Sequence, residues 1–229
     1  MSQARHEPLA HLALRAPISA ASDDAAADDA TVTGDASGVA DVTMAALPYR
    51  PSLILRGESD DAAFLQGCRG ALGFDLPVAP NHGAMSDGIA ALWLGPSEWL
   101  VLGRGCGKRL AETLAGCRHA LVTNGDGQQV IALSGPRGGD VLAKLCPLDL
   151  AGGALGPGRC TRSVLAGIAM TLWIRPGGVY HIHVGRSFAD YAWRILADAG
   201  LEYGMAAVAM VDVVDVVAMA DADPVVDVE

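Results

Sequence analysis

An internal repeat constrains the fold of this chain more than any other feature of its sequence. Residues 92–116 contain the run Leu-Trp-Leu-Gly-Pro and then Trp-Leu-Val-Leu-Gly-Arg, and residues 172–200 contain Leu-Trp-Ile-Arg-Pro and then Tyr-His-Ile-His-Val-Gly-Arg. Three matched pairs have near-constant separations of 78, 80 and 82 residues: Gly57 with Gly135, Trp93 with Trp173, and Arg104 with Arg186. Such an offset predicts two copies of one supersecondary unit.

Each copy is predicted to contain the elements β-α-β-β-α in that order. In the first copy, apolar runs and turn residues predict a strand at 52–56, a helix capped by Ser59, strands at about 88–94 and 98–103, and a helix at about 106–116. In the second copy, they predict a strand at 130–133, a helix with Pro136 in its first turn, strands at about 160–165, 168–175 and 178–185, and a final helix. The predicted fold class is α+β, with two ferredoxin-like β-α-β-β-α repeats forming a pseudo-dimer.

The final helix of the second copy has the clearest periodicity in the sequence. Five apolar residues follow the spacing i, i+3, i+4, i+7 and i+8, which is typical of one helix face: Phe188, Tyr191, Ala192, Ile195 and Leu196. Ser187 with Asp190 resembles a capping box at its start. The sequence therefore predicts a helix that is capped by Ser187 and buries this stripe.

The charges divide the chain into a nearly neutral centre and two acidic ends. The formal net charge is −10, but residues 51–194 carry thirteen basic against eleven acidic side chains. Composition predicts an N-terminal segment 1–18, an acidic disordered insertion 19–43, a folded domain 44–204 with repeats at about 50–120 and 128–203, and an acidic tail 205–229. Because the centre has no basic face, we do not expect a nucleic acid partner.

Two sequence patterns indicate the cellular compartment of the protein. The longest apolar stretch, 205–217, contains Asp212 and Asp215, and it is too short and too charged to span a bilayer about 30 Å thick. The five cysteines lack CxxC spacing, and no apolar run follows a positively charged start, so neither a disulfide framework nor a secretory signal is expected. We expect a cytoplasmic protein with no membrane partner.

Three patterns resemble chemical sites, and each has a simpler structural explanation. His181 and His183 lie at i, i+2, which places both imidazoles on one face of a strand, but no third metal ligand accompanies them. The glycine-rich segment 103–108 lacks the Ser or Thr after Gly-Lys that a phosphate-binding loop requires. Cys68 and Cys146 occupy equivalent positions on apolar helix stripes, without an activating base. The sequence therefore predicts no catalytic, cofactor-binding or metal-binding residue in this chain.

Arginine dominates the basic residues, of which fourteen out of sixteen are Arg. Arg159 and Arg162 flank Thr161, and Arg186 precedes the final helix. Arg forms bidentate contacts with carboxylates that Lys cannot form, and it is enriched at protein interfaces. A GC-rich genome would produce the same bias in composition. Arg159, Arg162 and Arg186 are nevertheless the candidates for a partner interface.

Four motifs together resemble the gamma subunit family of heterotetrameric sarcosine oxidase. They are Leu-Gly-Pro-Ser-Glu-Trp-Leu at 94–100, Leu-Ser-Gly-Pro at 133–136, Cys-Pro-Leu-Asp-Leu at 146–150 and Arg-Ser-Phe-Ala-Asp-Tyr at 186–191. The resemblance covers about residues 50–204. One departure is the run Asn-Gly-Asp at 124–126, where that family usually has an Asp-x-Ser-like entry into a strand.

The resemblance implies a fold related to the folate-binding domain of the glycine-cleavage T-protein. It also implies a non-catalytic gamma subunit that supports oxidative demethylation of sarcosine to glycine, with one-carbon transfer to tetrahydrofolate. The implied partners are the alpha, beta and delta subunits of the complex. These partners, and not this chain, are then expected to hold FAD, FMN, NAD, zinc and tetrahydrofolate.

Two other functions fit the same sequence. The first is a gamma-like subunit of another N-methyl amino acid oxidase or dehydrogenase, such as an N-methylglutamate or dimethylglycine enzyme. The second is a free-standing, folate-binding protein that resembles an aminomethyltransferase. This second function requires a pocket carboxylate for the pterin ring, and the candidates are Asp87, Asp126 and Asp149.

Overall fold

A computed structural model describes residues 41–124, 127–151 and 153–208 of the chain. The first half contains the elements β1 (Val42–Ala46), β2 (Ser52–Gly57), α1 (Ala62–Leu72), β3 (Gly83–Ser86), β4 (Ile89–Gly95), β5 (Glu98–Leu102), α2 (Cys106–Thr113) and β6 (His119–Thr123). The second half contains β7 (Gln128–Ser134), α3 (Gly138–Leu145), β8 (Cys160–Leu165), β9 (Ile168–Ile174), β10 (Tyr180–Gly185), α4 (Ala189–Gly200) and β11 (Met205–Val208).

The strands form two sheets, one for each repeat. The five-stranded sheet has the order β3-β4-β5-β2-β6, and the six-stranded sheet has the order β11-β1-β7-β10-β9-β8. Without the hairpin strand β3, the order β4-β5-β2-β6 is that of a ferredoxin-like β-α-β-β-α-β unit. The second sheet has the same order, except that β1 lies between β7 and β11 and β8 extends the other edge. The predicted α+β pseudo-dimer is confirmed, and each repeat has more strands than the five-element pattern predicted.

The layers follow from the alternation of side chains along the strands. In the first repeat, Leu55 and Trp99 face α1 and α2 and pack with Phe64 and Leu110 in one core. A corresponding core in the second repeat lies between the six-stranded sheet and helices α3 and α4. The opposite faces of the two sheets meet in a third cluster: Ala90, Leu92, Leu100, Leu102, Cys160 and Trp173. The fold is therefore a stack of helices, sheet, sheet and helices.

The helix starts differ from the sequence predictions. Asp61 caps α1, because its Oδ1 accepts hydrogen bonds from the backbone N–H groups of Ala63 at 2.9 Å and Phe64 at 3.3 Å. The predicted cap at Ser59 is therefore wrong. Asp61 lies next to the first helical residue, which is the position from which a short carboxylate reaches these donors.

The predicted capping box of α4 is also wrong. A 3-10 turn occupies Arg186–Phe188, and α4 begins after it without a side-chain hydrogen bond to its first turn. The buried face of α4 is shifted accordingly and contains Ala189, Ala192, Trp193, Leu196, Ala199 and Gly200. Of the predicted stripe, Phe188 is 48% exposed and Tyr191 is 44% exposed. The 3-10 turn changes the phase of the helix, because it has fewer residues per turn than an α-helix.

The folded domain extends beyond the predicted limits at both ends. β1 begins at Val42, and β11 occupies the first four residues of the predicted tail. The two strands pair in parallel, and Val42 and Met205 are completely buried. The segment 1–18, most of 19–43 and the tail after 208 lie outside the described residues. Among the residues that the structure describes, no helix is long and apolar enough to cross a membrane.

The two copies are not in register along their whole length. Gly57 is the last residue of β2 and Gly135 directly follows β7, so both lie at the end of the first strand of their repeats. Trp93 and Trp173 do not match in the same way. Trp93 lies opposite Trp99 and is half-buried, in contact with both the helix-side core and the cluster between the sheets. Trp173 is buried in the cluster between the sheets. A slip of one residue in a strand moves a side chain to the opposite face, so the two tryptophans do not occupy equivalent positions.

Candidate functional site

Arg162 joins the two repeats through an ion-pair cluster. Arg162 lies on β8 and contacts Oε1 of Glu98 on β5. Oε2 of the same carboxylate accepts hydrogen bonds from Arg56 on β2, at 2.7 Å from Nη2 and 2.9 Å from Nε. Burial raises the pKa of Glu98, but the hydrogen bonds and charges of the two arginines outweigh it and hold this pKa below its ordinary value. Arg162 therefore has a role in joining the halves, although its side chain is 53% exposed.

Arg159 makes a second connection between the repeats. Its Nη1 lies 3.0 Å from the ring nitrogens of His82 and 3.4 Å from the carbonyl oxygen of Pro80. The backbones of His82 and Arg159 also form an antiparallel bridge. Gly83 lies at this junction, where an added Cβ would be 2.9 Å from Nε1 of Trp173. Arg159 thus lies where the two repeats pack directly against each other.

Arg186 lies apart from the other two candidate arginines, in the 3-10 turn after β10. Its backbone N–H donates to the carbonyl oxygen of Gly127 at 2.9 Å. The exposed rings of Phe188 and Tyr191 follow it, and the Tyr191 hydroxyl donates to the carbonyl oxygen of Ala166 at 3.0 Å. The structure therefore places one predicted arginine beside exposed aromatic surface and two at the junction of the repeats.

His181 and His183 face the space between the sheets, on one side of β10 as predicted. His181 contacts Trp173 edge to face, with 5.6 Å between ring centroids, and His183 lies opposite Thr171. Burial and nearby positive charge lower the pKa of His181 well below its ordinary value. The same two causes lower the pKa of His183 from 6.5 to about 4, so both imidazoles are neutral at pH 7. Among the described residues, no cluster of three or more His, Cys, Asp or Glu side chains could hold a metal ion.

A cleft of about 290 Å³ lies between the two sheets beside His183. Its lining combines apolar residues of the first repeat with mostly polar residues of the second: Ile54, Leu94, Leu100, Asn124, Gln128, Arg162, Ser163, Ala169, Met170, Thr171, His183 and Gly185. The sequence did not point to Asn124 or Gln128. A single amide side chain has no distinctive pattern, and only the packing of the two repeats brings these residues together.

The other candidates from the sequence have structural roles. Gly103 and Gly105 in the segment 103–108 have positive φ angles of 137° and 73°, and they form the turn between β5 and α2. Cys68 and Cys146 are buried in the two helix-side cores, as expected for small apolar residues. Burial, together with the nearby Cys117, raises the pKa of the Cys68 thiol to about 12. This thiol is therefore protonated at neutral pH.

The candidate pterin carboxylates do not reach the cleft. Asp87 lies on the exposed turn between β3 and β4, and Asp149 is exposed after α3. Neither residue lines the cleft between the sheets. Asp126 lies outside the described residues. The described lining contains no Asp or Glu that could hold a pterin ring.

Sequence relatives decide the family of the chain. Residues 56–202 match the sarcosine oxidase, gamma subunit family. The chain belongs to this family. It is similar to the sarcosine oxidase subunit gamma of Corynebacterium sp. (strain U-96), with 31% identity over 216 residues, which are 91% of this chain and 96% of the relative. It is 34% identical to the sarcosine oxidase subunit gamma of Arthrobacter sp over 144 residues, which cover 61% of this chain and 70% of the relative. The resemblance inferred from the four motifs is confirmed.

Solved structures agree with this family and with the fold. A chain of the heterotetrameric sarcosine oxidase from Corynebacterium sp. U-96, solved in complex with pyrrole 2-carboxylate, matches with a TM-score of 0.66 and 28% identity. The match covers 71% of this chain and 85% of that one. The glycine cleavage system aminomethyltransferase T from Bartonella henselae matches with a TM-score of 0.55 and 14% identity, over 74% of this chain and 48% of that one. This second similarity is a similarity of fold alone.

Proposed function

We propose that this chain is the gamma subunit of a heterotetrameric sarcosine oxidase and assembles with alpha, beta and delta subunits. The observation that carries the proposal is the 31% identity over 91% of the chain to a sarcosine oxidase subunit gamma, together with the match to a chain of a heterotetrameric sarcosine oxidase. The complex would demethylate sarcosine oxidatively to glycine and pass the one-carbon unit to tetrahydrofolate. FAD, FMN, NAD, zinc and tetrahydrofolate would then bind to the partner subunits.

Within this complex, we propose a structural role without a catalytic residue. The neutral, buried histidines and the protonated Cys68 thiol support this role, because neither group is prepared for proton transfer or nucleophilic attack at pH 7. The test is to purify the chain alone, measure its visible spectrum and assay peroxide formation from sarcosine. We expect a colourless protein without activity. Stoichiometric flavin after dialysis, or sarcosine-dependent peroxide, would contradict the structural role.

The exposed surface that begins at Arg186 is the proposed contact with the partner subunits. Phe188 and Tyr191 add two exposed rings to this surface, and aromatic and Arg side chains are enriched at interface hot spots. The sequence also selects Arg159 and Arg162. Arg162 would contribute from the edge strand β8, and Arg159 from the position before that strand.

The interface is tested by tagging the chain and purifying it with its partners. Arg186→Ala, with or without Phe188→Ala, should reduce the recovered partner subunits, whereas Arg69→Ala on the exposed face of α1 is the matched control. Arg162→Ala requires a melting curve as well, because it also removes the contact to Glu98. Unchanged recovery for all three candidate arginines would show that the interface lies elsewhere, without affecting the proposal that the chain is a subunit.

The aminomethyltransferase alternative has less support. The similarity to aminomethyltransferase T extends only to the fold, and neither Asp87 nor Asp149 lines the cleft. A gamma-like subunit of another N-methyl amino acid oxidase fits the same chain equally well, because the substrate would bind to a partner. The substrate preference of the purified complex distinguishes these two assignments.

A further inference from the structure

The cleft between the repeats has two different walls. Ile54, Leu94 and Leu100 line the side formed by the five-stranded sheet. Gln128, Thr171 and His183 line the opposite side, which belongs to the six-stranded sheet. A molecule in this space would therefore have an apolar surface on one side and hydrogen-bonding groups on the other.

Four buried polar atoms at the cleft have no protein partner within the part of the chain that the structure describes. They are both ring nitrogens of His183, Oε1 of Gln128 and Nδ2 of Asn124. His183 is only 2% exposed, and all three side chains line the cleft. Buried polar groups in folded proteins almost always have a hydrogen-bond partner, so a group of four unpaired atoms in one cleft requires an explanation.

The four unpaired atoms at the cleft are balanced between donors and acceptors, and none of them carries a charge at pH 7. A neutral imidazole supplies one donor and one acceptor, and the two amide atoms add one acceptor and one donor. The pKa of about 4 for His183 keeps its ring neutral at pH 7. Among the described lining residues, the one charged side chain is Arg162, which is paired with Glu98. Arg50 is outside the lining, although its charge reaches His183 and helps to lower its pKa. The described lining itself offers no counter-charge to a cation and no uncommitted cation to an anion.

We propose that this cleft binds a small uncharged molecule that has an amide-like edge and an apolar face. The amide-like edge would bond to His183, Gln128 and Asn124, and the apolar face would lie against Ile54 and Leu100. The volume of about 290 Å³ is at the lower end of the range of ligand pockets, which corresponds to a molecule with one ring. This proposal concerns a ligand of the chain itself and does not depend on its place in an oxidase complex.

The test uses the full-length chain and three probes of nearly the same shape: benzamide, benzoate and benzamidine. Saturation-transfer NMR and calorimetry would measure binding, with benzamide as the neutral probe and the others as its anionic and cationic counterparts. We expect benzamide to bind at least about tenfold more tightly than either ion. Gln128→Leu should weaken benzamide about fivefold to tenfold, which corresponds to one lost buried hydrogen bond. Thr113→Val is the control, because its hydroxyl bonds only to the backbone of α2.

A second variant and two binding outcomes complete the test. If Gln128→Leu does not fold, Asn124→Leu removes a different partner, and the comparison of the three probes on the unmodified chain remains sufficient by itself. Absence of benzamide binding up to its solubility limit would overturn the proposal, because ordered water alone would then satisfy the four atoms. Equal binding of benzamide and benzoate would overturn it as well, since the cleft would not select for an uncharged ligand.

Discussion

Acid should destabilise this protein through His183. The imidazole is buried and has a pKa of about 4, against an ordinary value of 6.5. Between these values, the unfolded chain binds a proton that the folded chain does not bind. The stability that depends on the neutral ring is therefore complete above pH 6.5 and is lost as the pH falls towards 4.

The size of the effect follows from the two pKa values. Between pH 7 and pH 5, linkage gives a loss of about 2 kcal/mol in the free energy of unfolding from His183 alone. His181 contributes in the same direction, because its pKa is also lowered by burial. For a domain of this size, this loss is a large fraction of the total stability.

The assay is urea unfolding at pH 7 and pH 5, followed by tryptophan fluorescence, for the unmodified chain and for His183→Gln. The substitution removes the titrating group, so the difference in unfolding free energy between the two pH values should shrink by about 2 kcal/mol. Thr171→Val changes the residue opposite His183 without removing a titrating group, so it should keep the pH dependence of the unmodified chain. If His183→Gln and the unmodified chain lose the same stability between pH 7 and pH 5, the buried neutral histidine is not the cause.

Three further substitutions test the fold. Asp61→Ala should lower the free energy of unfolding, measured by chemical denaturation, by about 1 kcal/mol because the helix cap is lost. Ser59→Ala should lower it much less. Equal effects of the two substitutions would contradict the observed cap. Gly135→Ala should lower the free energy of unfolding by more than about 2 kcal/mol, because φ is +103° and the new Cβ would lie 2.4 Å from the backbone oxygen of Asp41. Gly95→Ala is the control, since its new Cβ meets no atom within 4 Å. Similar melting temperatures for the two variants would refute this reasoning. Glu98→Gln should lower the free energy of unfolding by about 1 kcal/mol and make the melting temperature less sensitive to salt. An unchanged salt dependence would show that the ion-pair cluster contributes little to stability.

The repeat and most of its long elements could be predicted because their signals are local. The strand that begins at Ser52 and the hairpin around Pro96 are read from apolar runs and turn residues. The short strands β1, β3, β6 and β11 have four or five residues each, and they exist because neighbouring strands pair with them. Propensity over so few residues does not distinguish a strand from a loop, so sequence reasoning did not identify them.

Errors of one residue account for most of the remaining differences. The strand face of Trp173 depends on the register of its strand, which the alignment with Trp93 does not determine. The stripe on α4 was displaced because Phe188 belongs to the preceding 3-10 turn. The cleft could not be predicted at all, since Gln128 and His183 acquire their significance only when the second repeat packs against the first.

Expression of this chain, with an affinity tag, together with the genes of its oxidase partners tests whether it is a subunit of the complex. Native mass spectrometry and the visible spectrum of the purified material would then give its composition. We predict one copy of this chain in a complex with flavin-containing alpha and beta subunits and a delta subunit, and that complex should oxidise sarcosine. Recovery of the tagged chain alone, with no flavoprotein subunit bound, would show that this chain is not such a subunit.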